Sequence, residues 1–93
     1  MRTIERTSQF KKDYKRESKG RHSGTLDADL RAVLEPLATD KPLDKRYFDH
    51  ALTGEWKGHR DCHIKPDLVL LYRKPAEETL QLVRLGSHSE LGL

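Results

Sequence analysis

The sequence predicts a small α+β domain in which two N-terminal helices pack on an antiparallel sheet, in the order β-α-α-β-β-β. Apolar residues recur at helical spacing in the first 40 residues, and the pattern changes to one typical of strands from residue 56 onward. The later segments are separated by tight turns, which join antiparallel strands. Helices that precede the strands in this way are typical of α+β folds. With 93 residues, the chain is expected to form one domain spanning residues 1–93.

The N-terminal segment is predicted to form a short strand and a helix. Residues 2–6 are the strand. Ser8 is the expected N-cap of a helix that runs to about Lys19. Phe10 and Tyr14 are four residues apart and therefore lie on the same, buried face of this helix.

A second helix is predicted after a break at residues 20–24. Thr25 is its expected cap, and it runs to about Ala38. Its apolar residues recur at helical spacing: Leu26, Leu30, Val33, Leu34 and Leu37. The connector over residues 39–45 contains Pro42 and ends this helical part of the chain.

Three strands are predicted in the second half. The first covers residues 56–64, and a tight turn at Pro66 and Asp67 follows it. Residues 68–72 form a continuous apolar run, which is expected of a strand buried on both faces. The third strand covers residues 80–85 and is ended by a glycine.

Composition excludes several classes of protein. Cys62 is the only cysteine, so no intramolecular disulfide forms, and a reducing cytoplasm is the expected compartment. No apolar run is long enough to span a membrane, and no secretory leader follows the N-terminus. We therefore expect a soluble cytoplasmic protein with no membrane partner.

The charge of the chain is mildly basic, and its distribution is uneven. Lysine and arginine outnumber aspartate and glutamate by 18 to 15, for a net charge of +3. The first 21 residues hold a basic excess that includes Lys11, Lys12 and Lys15. Two interpretations stay open: a solvated helix face, or a ridge that contacts RNA phosphates or an acidic partner.

Residues 49–67 combine three of the five histidines with three aspartates. If residues 56–65 form a strand, alternate side chains share a face. One face then holds a polar row, namely Lys57, His59, Asp61, His63 and Lys65. The other holds Trp56, Gly58, Arg60, Cys62 and Ile64. Because histidine titrates near neutral pH, such a row is suited to proton transfer.

Metal binding competes with proton transfer for the same residues. His59 and His63 are four residues apart, as in helical metal sites, but Gly58 and Pro66 disfavour a helix here. On a strand, residues four apart are about 13 Å from each other, too far to share one ion. RNA cleavage through the 2′-hydroxyl needs only two groups that titrate near neutrality and a nearby cation. We therefore predict no metal and no cofactor.

The motifs of this chain resemble those of a known family. They are His50-x-Leu52-x-Gly54-x-Trp56-Lys57-Gly58-x-Arg60-Asp61-x-His63-x-x-Pro66-Asp67, then Arg84-x-Gly86-x-His88, and Ser8-x-Phe10-Lys11-Lys12-Asp13 near the N-terminus. Together they resemble the YafQ branch of the RelE/ParE toxin superfamily. The resemblance implies a RelE-like α+β fold and a type II toxin that cleaves mRNA on the ribosome. It also implies a toxin–antitoxin hetero-oligomer with an acidic, DinJ-like antitoxin.

By position, the resemblance places the catalytic residues at His50, His63, Asp67 and His88. Asp61 is expected beside them, orienting an imidazole. Three further residues are candidates for holding phosphates: Lys57, Arg60 and Arg84. His59 and His22 are expected to be plain surface residues.

The chain departs from the family pattern in its aromatic residues. No aromatic follows His88 in the tail, and Leu68 follows Asp67 where an aromatic side chain would offer a stacking platform. Base stacking is therefore expected to be weaker there or supplied elsewhere, and no codon preference is predicted.

Two other functions fit the same sequence. One is a non-catalytic, ParE-like toxin that poisons a protein target, against which the histidines argue. The other is a regulatory module that binds RNA or DNA without cleaving it, for which tight, salt-sensitive binding is expected.

Overall fold

The helices and strands follow one another in the order β1, α1, α2, β2, β3, β4, β5, α3 in the computed structural model, which describes residues 1–93. The helices are α1 Ser8–Glu17, α2 Leu26–Ala38 and α3 His88–Leu91. The strands are β1 Thr3–Arg6, β2 His50–Ala51, β3 Arg60–Lys65, β4 Leu68–Ala76 and β5 Thr79–Gly86. The predicted α+β class is confirmed. None of the helices combines the length and the apolar character needed to cross a bilayer.

The five strands form one sheet in the order β1-β5-β4-β3-β2. The pairs β3–β4 and β4–β5 are antiparallel, as the tight turns predict, and the pair β2–β3 is antiparallel as well. The pair β1–β5 is parallel, so the sheet is mixed rather than wholly antiparallel. These two strands are far apart in sequence, and no local turn dictates their relative direction. The structure also adds two elements that were not predicted, the short strand β2 and the helix α3.

The predicted helices are present, with small shifts at their ends. Thr7 rather than Ser8 is the N-cap of α1, because its hydroxyl accepts the N–H of Phe10. This helix ends at Glu17, two residues before the expected end. Thr25 stands at the N-cap position of α2, as predicted, but its side chain makes no capping hydrogen bond.

The apolar run in β4 lies at the centre of the sheet and is buried on both faces, as predicted. Leu68, Leu70 and Tyr72 pack in the core with Phe10 and with the apolar face of α2. Val69 and Leu71 alternate with them and lie on the opposite face. We call that opposite face, with Val69 and Leu71 at its centre, the open face.

A bulge in β5 changes which side chains reach the open face. Leu71 pairs with Arg84 but the next residue, Tyr72, pairs with Leu82, so Val83 is an extra residue in β5. As a result Leu82 and Leu85 both lie in the core. Arg84 is directed to the open face beside Leu71.

The first predicted hairpin strand begins later than expected. Strand β3 starts at Arg60, whereas the prediction placed its start at Trp56. The intervening chain forms a 3₁₀ turn over Gly54–Trp56, and Gly58 has a φ of 91°. Backbone of this kind is left-handed and cannot continue a strand.

The predicted polar row is therefore incomplete. Lys57 and His59 precede β3 and are not on its face. A register shift between His63 and Lys65 turns Lys65 away, and its ammonium group pairs with Asp29 of α2 at 3.2 Å. Only Asp61 and His63 remain together on the open face.

Candidate active site

Three imidazole rings lie side by side over the open face. His50 comes from β2, His63 from β3 and His88 from the first residue of α3. The ring centroids of His63 and His88 are 4.7 Å apart, and those of His50 and His63 are 6.3 Å apart. The structure thus brings together three of the four residues that were predicted to be catalytic.

Sheet register positions two of these rings. His50 pairs directly with Asp61 across the β2–β3 ladder. In turn, Asp61 pairs with Leu71 and His63 pairs with Val69. Directly paired residues share a face, so the side chains of Asp61 and His63 stand above Leu71 and Val69 at the apolar centre of the sheet. The side chain of His50 stands on the same face as that of Asp61.

His88 is positioned by the capping of α3. The hydroxyl of Ser87 accepts the N–H of Glu90, and the carboxylate of Glu90 accepts the N–H of Ser87. This reciprocal arrangement is a capping box. Glu90 also lies 3.3 Å from the guanidinium of Arg16 on α1, which ties the short helix to the rest of the fold.

His50 has a defined tautomer. Its Nδ1 lies 2.8 Å from the carbonyl oxygen of Phe48, which can only accept, so Nδ1 carries the hydrogen. In the neutral ring, Nε2 is then the atom that can accept a proton.

Asp61 is a buried carboxylate beneath the rings, with 1% of the residue exposed. Its Oδ1 is 3.1 Å from Nδ1 of His50, a distance that by itself suggests an ion pair. The N–H of that nitrogen points to the Phe48 carbonyl, however, and Oδ1 accepts no hydrogen bond. The two groups are therefore close without being hydrogen-bonded.

Burial lowers the pKa of His63 below its ordinary value of 6.5. Positive charge on His88 lowers the pKa further, as does positive charge on His50, while Asp61 opposes both. His63 is therefore neutral at pH 7 and can accept a proton. The rings of His50 and His88 lie beside it, so the site has the groups for paired acid and base chemistry.

Asp67 does not contact the three rings through a hydrogen bond. It lies in the turn between β3 and β4, where Oδ1 is 2.9 Å from Nε2 of His22 and Oδ2 is 3.2 Å from Arg21. The hydrogen bond with His22 lowers the pKa of Asp67. His22 was expected to be a plain surface residue, and this is wrong: its side chain is largely covered and bound to Asp67. The catalytic role of Asp67 stays a prediction.

The predicted phosphate-binding cations differ in their surroundings. Arg84 donates from Nε to Asp13 at 2.8 Å, and Arg60 lies 3.3 Å from Asp49. Lys57 is exposed beside the 3₁₀ turn. The lysines of α1 are also exposed: Lys11, Lys12 and Lys15. Phosphate binding by these residues stays a prediction.

The sequence interpretation missed several residues that build this site. Asp13 is fully buried and holds Arg84 in place. Phe48 stands exposed beside His63. Neither has a local sequence signal, because each depends on a long-range neighbour. Helix α3, in contrast, had one: Ser87 and Glu90 have the spacing of a capping box.

Asp61, His63 and His88 also form a set of possible metal ligands. One donor atom from each lies within 4.8 Å of the others. Imidazole nitrogen with a carboxylate oxygen suits zinc or copper. The predicted metal-independent reaction therefore depends on the same donor atoms that would coordinate a bound ion.

Comparisons with known proteins place this geometry in a family. Residues 2–92 match the model of YafQ, a bacterial toxin of type II toxin–antitoxin systems. The mRNA interferase toxin YafQ of Escherichia coli K12 is 39% identical over 91 residues, which are 97% of this chain and 95% of that protein.

Solved structures of similar toxins have the same fold as this chain. A copper-bound mutant toxin from Helicobacter pylori superposes with a TM-score of 0.83 at 40% identity, over 98% of this chain and 99% of that chain. In the Escherichia coli DinJ–YafQ complex, the matching chain gives a TM-score of 0.77 at 33% identity, covering 98% of both chains.

Proposed function

The chain belongs to the YafQ family of toxins from bacterial type II toxin–antitoxin systems, and on this basis we propose that it is an endoribonuclease that cleaves mRNA. Residues 1–93 act as one toxin domain. The substrate is messenger RNA held on the ribosome, and the place of action is the cytoplasm, where ribosomes translate.

The meeting of His50, His63 and His88 above Asp61 carries this proposal. These imidazoles come from residues as much as 38 positions apart, and the shortest ring separation is 4.7 Å. Protonated rings that lie close together repel each other, which raises the free energy of the folded protein. A role in proton transfer explains why the fold nevertheless brings three imidazoles together.

The reaction requires two proton transfers. His63, neutral at pH 7, removes the proton from the 2′-hydroxyl, and the 2′-oxygen forms a bond to the adjacent phosphorus. The bond from phosphorus to the 5′-oxygen breaks, and His88 protonates that oxygen. The products are a 2′,3′-cyclic phosphate and a 5′-hydroxyl end. Each positioned acid or base contributes roughly 10²–10⁴-fold to the rate.

The neighbouring groups support these transfers. Asp61 stabilises the imidazolium that forms on His63 when this ring takes the proton, because the buried Oδ1 of Asp61 has no hydrogen-bond donor. The free Nε2 of His50 is available to accept a hydrogen bond from a hydroxyl. Arg84 on the same face contributes positive charge near the phosphorane, while Asp67 acts from the turn beside the site.

The partner that silences the toxin is a cognate antitoxin, and the two form a hetero-oligomer. The relative in the Escherichia coli complex is bound to DinJ. We propose an acidic, DinJ-like protein for this chain, since the exposed lysines of α1 favour a negatively charged surface.

The experiment maps mRNA 5′ ends in cells after induction of the wild type, His63→Ala and His88→Ala. His59→Ala is the matched control, since this imidazole lies beside Trp56 and outside the cluster. We expect new 5′-hydroxyl ends and growth arrest with the wild type and the control. We expect a loss of at least about 10²-fold in cleavage with the two cluster variants.

Two outcomes would contradict the proposal. Growth arrest with intact mRNA would support the ParE-like alternative. Equal cleavage by the wild type and both cluster variants would remove the proposed mechanism. Toxin that has been freed of transition metals before it is added to programmed ribosomes in magnesium buffer is expected to cleave as before. Loss of cleavage that added zinc or copper restores would assign the reaction to a metal bound by Asp61, His63 and His88.

A further inference from the structure

Phe48 is an aromatic side chain that the fold leaves in solvent. The residue is 66% exposed, and the only other large apolar residue as exposed is Met1. Its backbone is left-handed, with φ 49° and ψ 44°. A bulky residue in this conformation is strained, and such strain persists where the surrounding structure imposes it, commonly at functional sites.

Hydrogen bonds fix Phe48 against the imidazole cluster. Its N–H donates to the carbonyl oxygen of Lys45 at 3.1 Å, which closes the 3₁₀ turn before it. Its own carbonyl accepts Nδ1–H of His50 at 2.8 Å. The Phe48 ring then stands 5.7 Å from the ring of His63, tilted by 55°. The strained turn therefore holds an exposed aromatic face next to the proposed general base.

A concavity of about 500 Å³ lies beside this ring. Phe48, Tyr47 and His63 line it, together with the cation Arg46 and the ion pair of Lys65 with Asp29. The guanidinium of Arg46 lies 4.9 Å from the centre of the Tyr47 ring. The volume is within the range of small-ligand sites. Aromatic surface with nearby cations is the combination that binds single-stranded nucleic acid, since bases stack on rings and phosphates pair with cations.

We propose that Phe48 is the stacking platform for a nucleobase next to the cleaved phosphate, and this rests on the proposed ribonuclease function. The nucleotide lies in the concavity with a phosphate toward Arg46, since the charge of Lys65 is compensated by Asp29. No aromatic follows His88 in the tail, and Leu68 follows Asp67, so stacking at those positions is absent from this chain. Phe48 supplies it from the opposite side of His63.

The first test measures binding without any cleavage. Adenosine 3′-monophosphate is titrated into the purified full chain and followed by NMR chemical shifts. The variants are Phe48→Leu, which keeps an apolar side chain but has no ring, and Phe48→Tyr, which keeps the ring. We expect Phe48→Leu to weaken binding about 5- to 150-fold, the range for one stacked base, and Phe48→Tyr to bind like the wild type.

The second test measures the single-turnover rate of mRNA cleavage on programmed ribosomes. Phe48→Leu is expected to lose rate by a similar factor and Phe48→Tyr to retain it. Thermal unfolding of both variants confirms that the fold is intact. Equal nucleotide binding and equal cleavage by the wild type and Phe48→Leu would overturn the stacking role while leaving the ribonuclease standing.

Failure of the ribonuclease proposal has a different signature. In that case the wild type itself does not cleave, and all variants are alike in the second test. The nucleotide titration then decides the role of Phe48 alone: weaker binding by Phe48→Leu supports the site, and unchanged binding overturns it.

Discussion

At the scale of single residues, the environment of His63 bears directly on the chemistry proposed for this ring. Burial and positive charge on the neighbouring imidazoles lower its pKa, while Asp61 opposes them. The ring is kept neutral at pH 7, as a base must be. The same interactions make protonation of His63 unfavourable in the folded protein, so acid should affect stability as well as activity.

We predict that His63 makes folding stability depend on pH near neutrality. Its folded pKa lies below the value of 6.5 that it regains on unfolding. The unfolded chain therefore binds more protons as pH falls through 6.5, and stability falls with it. Urea unfolding at pH 7.5, 6.5 and 5.5 should show this loss in the wild type and a smaller one in His63→Asn.

Titration of the carboxyl groups of Asp13 and Asp67 does not contribute to the change in stability over this pH range. The pKa values of Asp13 and Asp67 are lowered from 3.8, so both titrate below the tested range. Identical slopes for the wild type and His63→Asn would show that the folded protein does not perturb this ring.

At the scale of elements, a buried charge network joins α1 to the end of β5. Asp13 is 0% exposed and accepts hydrogen bonds from Arg84, Arg16 and the backbone N–H of Leu85. Burial raises the pKa of Asp13, but the bonds from Arg84 and Leu85 outweigh it and the net pKa is lowered. Arg16 also donates to the carbonyl of Leu85 at 2.9 Å. This network closes the free edge of β5 just before α3, and so positions His88.

We predict that Asp13→Ala is strongly destabilising. The substitution leaves Arg84 and the backbone N–H of Leu85 without their acceptor, while Arg16 keeps the carbonyl of Leu85. Breaking a buried pair in this way costs about 3–5 kcal/mol. Urea unfolding measures the loss. Asp40→Ala is the matched control, because Asp40 also pairs with two cations, Arg2 and Lys74, but is 54% exposed on its side chain.

The control should lose much less stability, since water screens exposed pairs. Equal losses for Asp13→Ala and Asp40→Ala would mean that burial of the network contributes nothing. Cleavage by Asp13→Ala should also be slow at temperatures where it is folded, because the position of His88 depends on the same contacts.

At the scale of the whole molecule, charge is distributed around a nearly uncharged core. The lysines of α1 are exposed and make no ion pair: Lys11, Lys12 and Lys15. They are therefore free to contact ribosomal RNA in the proposed complex, or the antitoxin that competes with it. Contacts of this kind contribute affinity that depends strongly on salt.

We predict that replacing these three lysines with alanine weakens ribosome binding and reduces its salt dependence. Each phosphate contact contributes about 0.7–0.9 to the slope of log affinity against log salt, so the slope should fall by about 2–3. Binding of inactive His63→Ala toxin to ribosomes across a salt series measures this slope. Lys41→Ala removes another exposed lysine. It should change the slope by less than the value of about 0.7–0.9 expected for one phosphate contact. An unchanged slope for the triple variant would place the RNA interface elsewhere.

Local pattern was enough to predict the fold class and the shared face of Asp61 and His63, whereas the family resemblance was needed to predict that His50 and His88 join them. Helical spacing identified the buried face of α2, and a continuous apolar run identified β4 as the central strand. Alternation placed Asp61 and His63 on one face, with Cys62 and Ile64 on the other. These features depend on the period of side chains along one element, which the sequence contains directly.

Sequence alone determined the α+β class, the elements of the core and the identity of the clustered histidines. Only the tertiary structure decided that β1 runs parallel to β5, that Asp67 binds His22, and that Phe48 stands exposed beside His63. Bulges at two strands likewise redirected Arg84 and Lys65. Each of these depends on pairing between distant segments, where a shift of one residue changes the face of a side chain, and no local period carries that information.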